Sequence, residues 1–138
     1  MTQPRGLRNN NPGNLRQSGV RFKGEVVPSQ DPAFKQFETI AWGYRAMFVV
    51  LNTYRKRGAC TICDLLGRYA PPSENPTDDY LRFVAHRSAV GADDEVDTLD
   101  RETMTAIAAA MSAFENGSPA DHRALAEGWQ LFAADFSK

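Results

Sequence analysis

The stretch MTAIAAAMSAFENG, Met104 to Gly117, decides how this chain is read. Met104, Ile107, Ala108, Met111 and Phe114 recur at about the 3.6-residue period and share one side of a helix, read here from about Leu99 to Phe114. Asn116-Gly117 stops the helix and Ser118-Pro119 turns the chain. Glu115 stands four residues after Met111 and eight after Ile107, so it continues the apolar stripe rather than the wet face. An acid is unwelcome there. The C-terminal end of a helix carries the negative pole of its dipole, and apolar surroundings penalise a charged carboxyl. Both effects favour the protonated form, which a general acid needs near neutral pH. Gly117 lets the chain turn away and leaves the carboxyl at the edge of a cleft. The competing reading is a glutamate that frays into solvent at a helix end.

Working outward, the same periodicity predicts a helix over about Ile40 to Arg57, with Trp42, Ala46, Val49, Val50 and Tyr54 on one face. Thr39 is its expected N-cap and Gly58 its stop. A second helix is expected over about Thr61 to Tyr69, ended by Pro71-Pro72. A third starts near Thr77, with Tyr80, Leu81 and Val84 inward, and an acidic linker, Gly91 to Asp97, follows it. Ala120 to Phe136, carrying Leu125, Trp129, Leu131, Phe132 and Phe136, reads as a closing helix. Residues 5–37 read as loop and short strand. Asn9-Asn10-Asn11-Pro12-Gly13-Asn14 is a dense turn cluster, and Val20, Phe22, Val26 and Val27 suggest a hairpin with Lys23-Gly24 near its turn. The expected fold class is mostly α (α+β), with a small β-hairpin region in the N-terminal third.

At 138 residues the chain is expected to be one domain, residues 1–138, and a chain of this size buries roughly two-thirds of its unfolded surface without a staple. Its net charge is −1. Arg5, Arg8, Arg16, Arg21, Lys23 and Lys35 make the N-terminal third basic, and Asp93 to Glu102 is acidic. No broad basic face for nucleic acid is expected. No apolar run has the length of a membrane span, and MTQPRGLRNN lacks the apolar core of a signal peptide. The chain is therefore expected in the cytosol, or exported by a route that needs no such peptide. Cys60 and Cys63 read as two small residues at a helix start, with a short-range disulfide or redox pair as the competing reading. His86 and His122 are not spaced as zinc partners for them, so no metal is expected.

Two motifs carry a resemblance. MTAIAAAMSAFENGSP (Met104 to Pro119) resembles the catalytic-helix signature of lytic transglycosylases and related lysozyme-like enzymes, in which an apolar helix ends in a Glu-Ser-Gly type triplet whose Glu is the catalytic acid. Asn116 stands here in place of the Ser. RGLRNNNPGNLR (Arg5 to Arg16), followed by DPAFKQFET, GYRAMFVVLNTY and TICDLLGRYAPPSENPTDDY, is similar to phage-encoded, virion-associated lysozyme-like proteins, and the similarity runs through most of the chain in order. NNNPGN with its following F-x-x-F also resembles the Asn-Asn loop of flagellum-type glucosaminidases. In those enzymes the loop follows the catalytic helix, whereas here it precedes it by about a hundred residues. A circularly permuted lysozyme-like fold would reconcile the two orders. Phe22 replaces the usual Trp of W-x-G, and Tyr69 the usual Trp of RWAPP.

The resemblance implies cleavage of the glycan strands of peptidoglycan, of muramidase or glucosaminidase type, with Glu115 as general acid and no cofactor. Such enzymes use a second carboxylate or the substrate's own acetamide. Glu25, Asp31, Glu38 and Glu74 are the candidates for the second carboxylate. Asp31 and Glu25 are preferred because such folds often place the partner in the β region, although Asp31 before Pro32 also reads as a turn residue. Substrate-binding candidates are the Asn9, Asn10, Asn11 and Asn14 amides, together with Tyr69 as a stacking wall and Glu74. The alternative is a phage or virion structural protein that binds peptidoglycan without cleaving it. Type VI secretion effectors also look like this chain. That version implies synthesis in the cytoplasm, delivery to the periplasm by a secretion or phage apparatus, no membrane insertion, and an immunity protein in the producing cell.

Overall fold

The computed structural model describes residues 3–70 and 77–136. Thr39 opens the longest helix: its hydroxyl accepts the Trp42 N–H at 3.3 Å, which satisfies one of the donors a helix start leaves over. From there α2 runs Ile40–Lys56, with Arg55 and Lys56 in its last turn, where cations suit the dipole. Thr61 caps α3 (Ile62–Tyr69) in the same way, accepting from the Asp64 N–H at 3.2 Å. After α4 (Thr77–Ser88), Asp100 caps α5 (Arg101–Asn116) by accepting from the Thr103 N–H at 3.0 Å. Gly117 ends α5 at φ 66°, a left-handed conformation that a side chain would strain. The closing helix is α6, His122–Phe136.

The helices pack chiefly as two pairs, α2 against α6 and α4 against α5, with α3 bridging to α4. Their apolar stripes meet in one core of Met47, Phe48 and Leu51 from α2, Leu65 and Leu66 from α3, Tyr80 and Val84 from α4, Met104, Ile107 and Met111 from α5, and Trp129 and Phe132 from α6. Phe48 meets Trp129 edge-on at 5.0 Å between ring centroids and Phe132 at 5.8 Å. Burying each such side chain stabilises the fold by roughly 1.5–3 kcal/mol. Trp129 joins this core as expected. Trp42 is only half buried and lies under the N-terminal segment at Gly24.

The N-terminal third departs from its reading in two ways. Arg5–Arg8 form a single helical turn, α1, too short for periodicity to reveal. The strand partner also differs. Lys23-Gly24 do turn the chain, with the Glu25 N–H donating to the Phe22 carbonyl at 3.2 Å, but Val20 and Val27 do not pair across it and are 60% and 50% exposed. Instead β1 (Glu25–Val26) pairs antiparallel with β2 (Gln36–Phe37). Residues 15–17 run alongside 33–35, Lys35 N–H donating to Leu15 O and Gln17 N–H to Ala33 O, both at 2.9 Å. Burial explains the choice, since Phe37 is fully buried and draws its own segment inward, leaving the valines outside. The fold is thus mostly α with one small antiparallel sheet.

Cys60 and Cys63 are free thiols. Among the described residues no group of His, Cys, Asp or Glu is arranged to hold a metal ion, and no helix is long and apolar enough to cross a membrane.

Candidate functional site

The asparagine cluster divides into scaffold and site. Asn9 Nδ2 donates to Asp31 at 3.1 Å. Asn10 Nδ2 donates to the carbonyls of Phe37 and Glu38, and Asn11 Nδ2 to those of Leu15 and Lys35, both at 2.9 Å. Asn11 Oδ1 also accepts from the Leu15 N–H. These three amides hold the loop to itself and to the sheet, as short polar side chains in turns do, and they do not line the cleft described below. Asn10 and Asn14 sit at φ 52° and 50°, a region that Asn tolerates better than most residues.

Asn14 alone reaches out. Its Nδ2 donates to Glu115 Oε1 at 2.9 Å, across 101 residues of chain. The next residue of α5 fastens the same loop from below, as Asn116 Nδ2 donates to Pro12 O and to Ser112 O, each at 2.9 Å. Glu115 is half buried, at the end of a stripe whose Met104, Ile107, Ala108 and Met111 are buried. It therefore sits at the margin of the core, as its spacing predicts.

Two tyrosines stand beside the carboxyl. Tyr69, at the end of α3, donates its hydroxyl to Gly13 O at 2.7 Å. The approach is so close that a Cβ on Gly13 would collide with that hydroxyl and with Met47. Tyr80 on α4 is fully buried and stacks on Phe114 at 4.3 Å. Its hydroxyl approaches Glu115 but makes no hydrogen bond of ordinary geometry among the described residues. Burial first, and then the negative charge of Glu115, hold both phenols well above their usual pKa. Both stay neutral and keep their hydrogens for donation.

Glu115, Asn14, Gly13 and Tyr69 line one end of a cleft of about 830 Å³, a size that suits a small-molecule or oligomer subsite. Its walls include Phe22, Phe34, Val49 and Tyr54. Its cations are Arg16, Lys35, Arg57 and Arg68. Among the described residues lining it, Glu115 is the one acid, and of the four cations Lys35 is already buried against Glu25. Burial raises the pKa of the Tyr54 phenol, an effect that Arg57 and Arg68 oppose.

The preferred second carboxylates lie elsewhere, and both are already engaged. Asp31 takes two hydrogen bonds from Arg5, at 2.5 and 2.7 Å, and others from the N–H groups of Ala33 and Phe34 and from Asn9. The Arg5 guanidinium, helped by those donors, holds its carboxyl far below the usual carboxylate range. This is the turn role that Asp31-Pro32 suggests. Glu25 accepts from Lys35 Nζ at 3.1 Å and from the Phe22 N–H at 3.1 Å, inside the sheet. Neither lines the cleft. Glu38 is exposed at the start of α2. Glu74 lies outside the described residues.

The structure brings together Asn14, Tyr69 and Glu115 of the sequence candidates. Sequence reasoning did not find Gly13, Arg16, Tyr54, Arg57 or Arg68. Tyr54 and Arg57 close α2 while Arg68 and Tyr69 close α3, and no local pattern announces that two helix ends will meet over a loop from the N-terminus.

The fold and cleft thus define a small, mostly helical protein whose described residues present one carboxylate, amide-bound, in a cation-lined groove. No family model matches the chain. It is 39% identical over 118 residues to a protein named Protein P5 from Pseudoalteromonas phage PM2, a match covering 83% of this chain and 72% of that protein. The chain belongs to the family of this phage protein.

Proposed function

We propose that this chain cleaves the glycan strands of peptidoglycan, with Glu115 as the general acid. One observation carries the reading: the carboxyl that ends the apolar helix is held at 2.9 Å by Asn14 of the NNNPGN loop. A permuted lysozyme-like site requires this meeting of two distant motifs. Glu115 donates its proton to the glycosidic oxygen as the bond to the anomeric carbon breaks. Asp31 and Glu25 are tied to Arg5 and Lys35, so among the described residues neither preferred partner is free to meet positive charge at the anomeric carbon, which falls to the substrate's own acetamide oxygen or to Glu74. The Glu115 carboxylate then takes a proton either from water or from the sugar's 6-hydroxyl as that oxygen bonds the anomeric carbon. The first route is hydrolysis and the second forms an anhydro end. Arg16, Arg57 and Arg68 along the cleft suit a polymer bearing carboxylates.

The phage relative favours delivery by a phage particle over a secretion apparatus, and action at the cell wall follows from the substrate. Purified wild type should release soluble muropeptides from sacculi and Glu115→Gln should not. Equal release, or none by either, would turn the reading to a wall-binding protein of the virion, which a sacculus pull-down would then detect.

A further inference from the structure

Among the described residues, two carboxamide oxygens beside Glu115 are buried and lack a hydrogen-bond donor: Asn14 Oδ1 and Asn116 Oδ1. They converge on one place. Each lies 2.6 Å from the point that a Cβ on Gly6 would occupy, so they are at most twice that distance apart. What stands at that point is the Cα–H side of Gly6, a weak donor at best. A buried acceptor with no proper donor is costly, and the Asn11 carbonyl oxygen, 2.7 Å from the same point, adds a third acceptor there and no donor.

The two amides are not equally able to relieve this. Asn116 is pinned, because its Nδ2 serves two carbonyls, Pro12 O and Ser112 O, each at 2.9 Å. Turning it over would set an oxygen against both. Asn14 Nδ2 makes one hydrogen bond among the described residues, to Glu115 Oε1. Exchanging the oxygen and nitrogen of Asn14 moves no other heavy atom. It aims Nδ2 toward Asn116 Oδ1 and sets Oδ1 against the Glu115 carboxyl, a contact that holds only if the carboxyl carries a hydrogen.

From this geometry we infer that Asn14 and Asn116 form a proton-holding pair for Glu115, an inference that rests on Glu115 being the acid of the proposed cleavage. With Glu115 protonated, its hydroxyl donates to Asn14 Oδ1 and Asn14 Nδ2 turns to Asn116 Oδ1, so both orphaned oxygens gain a donor. When the proton passes to the leaving oxygen, Asn14 turns over and Nδ2 donates to the new carboxylate. Asn14 is thus a positioning residue acting through Glu115. Asn116, the departure from the Glu-Ser-Gly pattern, supplies the fixed acceptor that makes the protonated arrangement the better satisfied one.

The other described groups around Glu115 do not do this. Tyr69 from α3 and Tyr80 from α4 stay neutral. Arg16 and Lys35 from the N-terminal segment, Arg57 beyond α2 and Arg68 on α3 share the cleft, and their charge favours the carboxylate.

Carbon-13 NMR of the Glu115 side-chain carboxyl tests the pair directly, by titration of wild type and Asn14→Leu. The midpoint is expected to fall by about one pH unit in Asn14→Leu, the size of one neutral hydrogen bond, and the high-pH limb of muropeptide release should move down with it. An unchanged or higher midpoint overturns the pair, since it would make Asn14 only a donor to the carboxylate. Should Asn14→Leu not fold, the wild type still reports. The nitrogen-15 signal of the Asn14 side chain should change environment at the Glu115 midpoint, and one constant environment throughout would overturn the proposal. The titration follows the proton whether or not sacculi are cleaved, so its failure is separable from failure of the proposed activity.

Discussion

Asn14 and Glu115 lie 101 residues apart in the chain, and 2.9 Å separates Asn14 Nδ2 from Glu115 Oε1. Around this contact one anchoring bond comes from α5 through Asn116 to Pro12, and another from α3 through Tyr69 to Gly13. The loop is therefore fastened by two helices at Pro12 and Gly13, the two residues just before Asn14.

Glu115→Gln keeps the shape of the side chain and removes its acid. Muropeptide release should fall by about 10²–10⁴-fold, the range that general acid catalysis supplies. Thermal stability should stay within a few degrees of wild type, because the helix stripe beneath is unchanged. Calorimetry beside the release assay separates lost chemistry from lost fold.

Gly13→Ala should be damaging although the change is one methyl. The added Cβ meets the Tyr69 hydroxyl and Met47, and overpacking of this kind costs about 1–3 kcal/mol. The loop must lift, and Asn14 lifts with it. The expected outcome is a lower melting temperature and loss of release together.

Tyr69→Phe probes the other clamp more gently. The ring stays and the hydrogen bond to Gly13 O goes, at a cost of about 1 kcal/mol, or roughly 3–5 °C in melting temperature. Release should fall more than stability does, because the bond that is lost positions Asn14. The comparison needs both measurements on the same preparations.

The Arg5–Asp31 clamp predicts a pH dependence. The folded state lowers the Asp31 pKa, chiefly through Arg5. Its contribution to stability is therefore present in full above the ordinary aspartate pKa of about 3.9 and is lost as pH falls below it. Asp31→Asn should unfold at a lower temperature than wild type at pH 7, and the gap should narrow in strong acid. A gap that widened on acidification would contradict this sign.

How much of this was legible follows from range. Thr39 and the apolar periodicity of α2 are local signals, and so are the stripe that carries Glu115 and the Gly117 stop. The β1–β2 register was not legible, because the valines around Lys23-Gly24 suggest a local hairpin, whereas the burial of Phe37 pairs residues 25–26 with 36–37. The roles of the asparagines were not legible either. NNNPGN says that a turn forms, but which amide is left to face outward depends on the carbonyls of Leu15, Lys35, Phe37 and Glu38. Asp31 was ambiguous on its own sequence, and Arg5, 26 residues away, settles it as a structural carboxylate.

The most direct measurement is mass spectrometry of the soluble products from sacculi digested in oxygen-18 water. Wild type should yield disaccharide muropeptides, each ending either in an anhydro sugar without label or in a reducing sugar with one labelled oxygen, and Glu115→Gln should yield neither product. Muropeptides released equally by both proteins, or no glycan cleavage by wild type, would contradict this expectation.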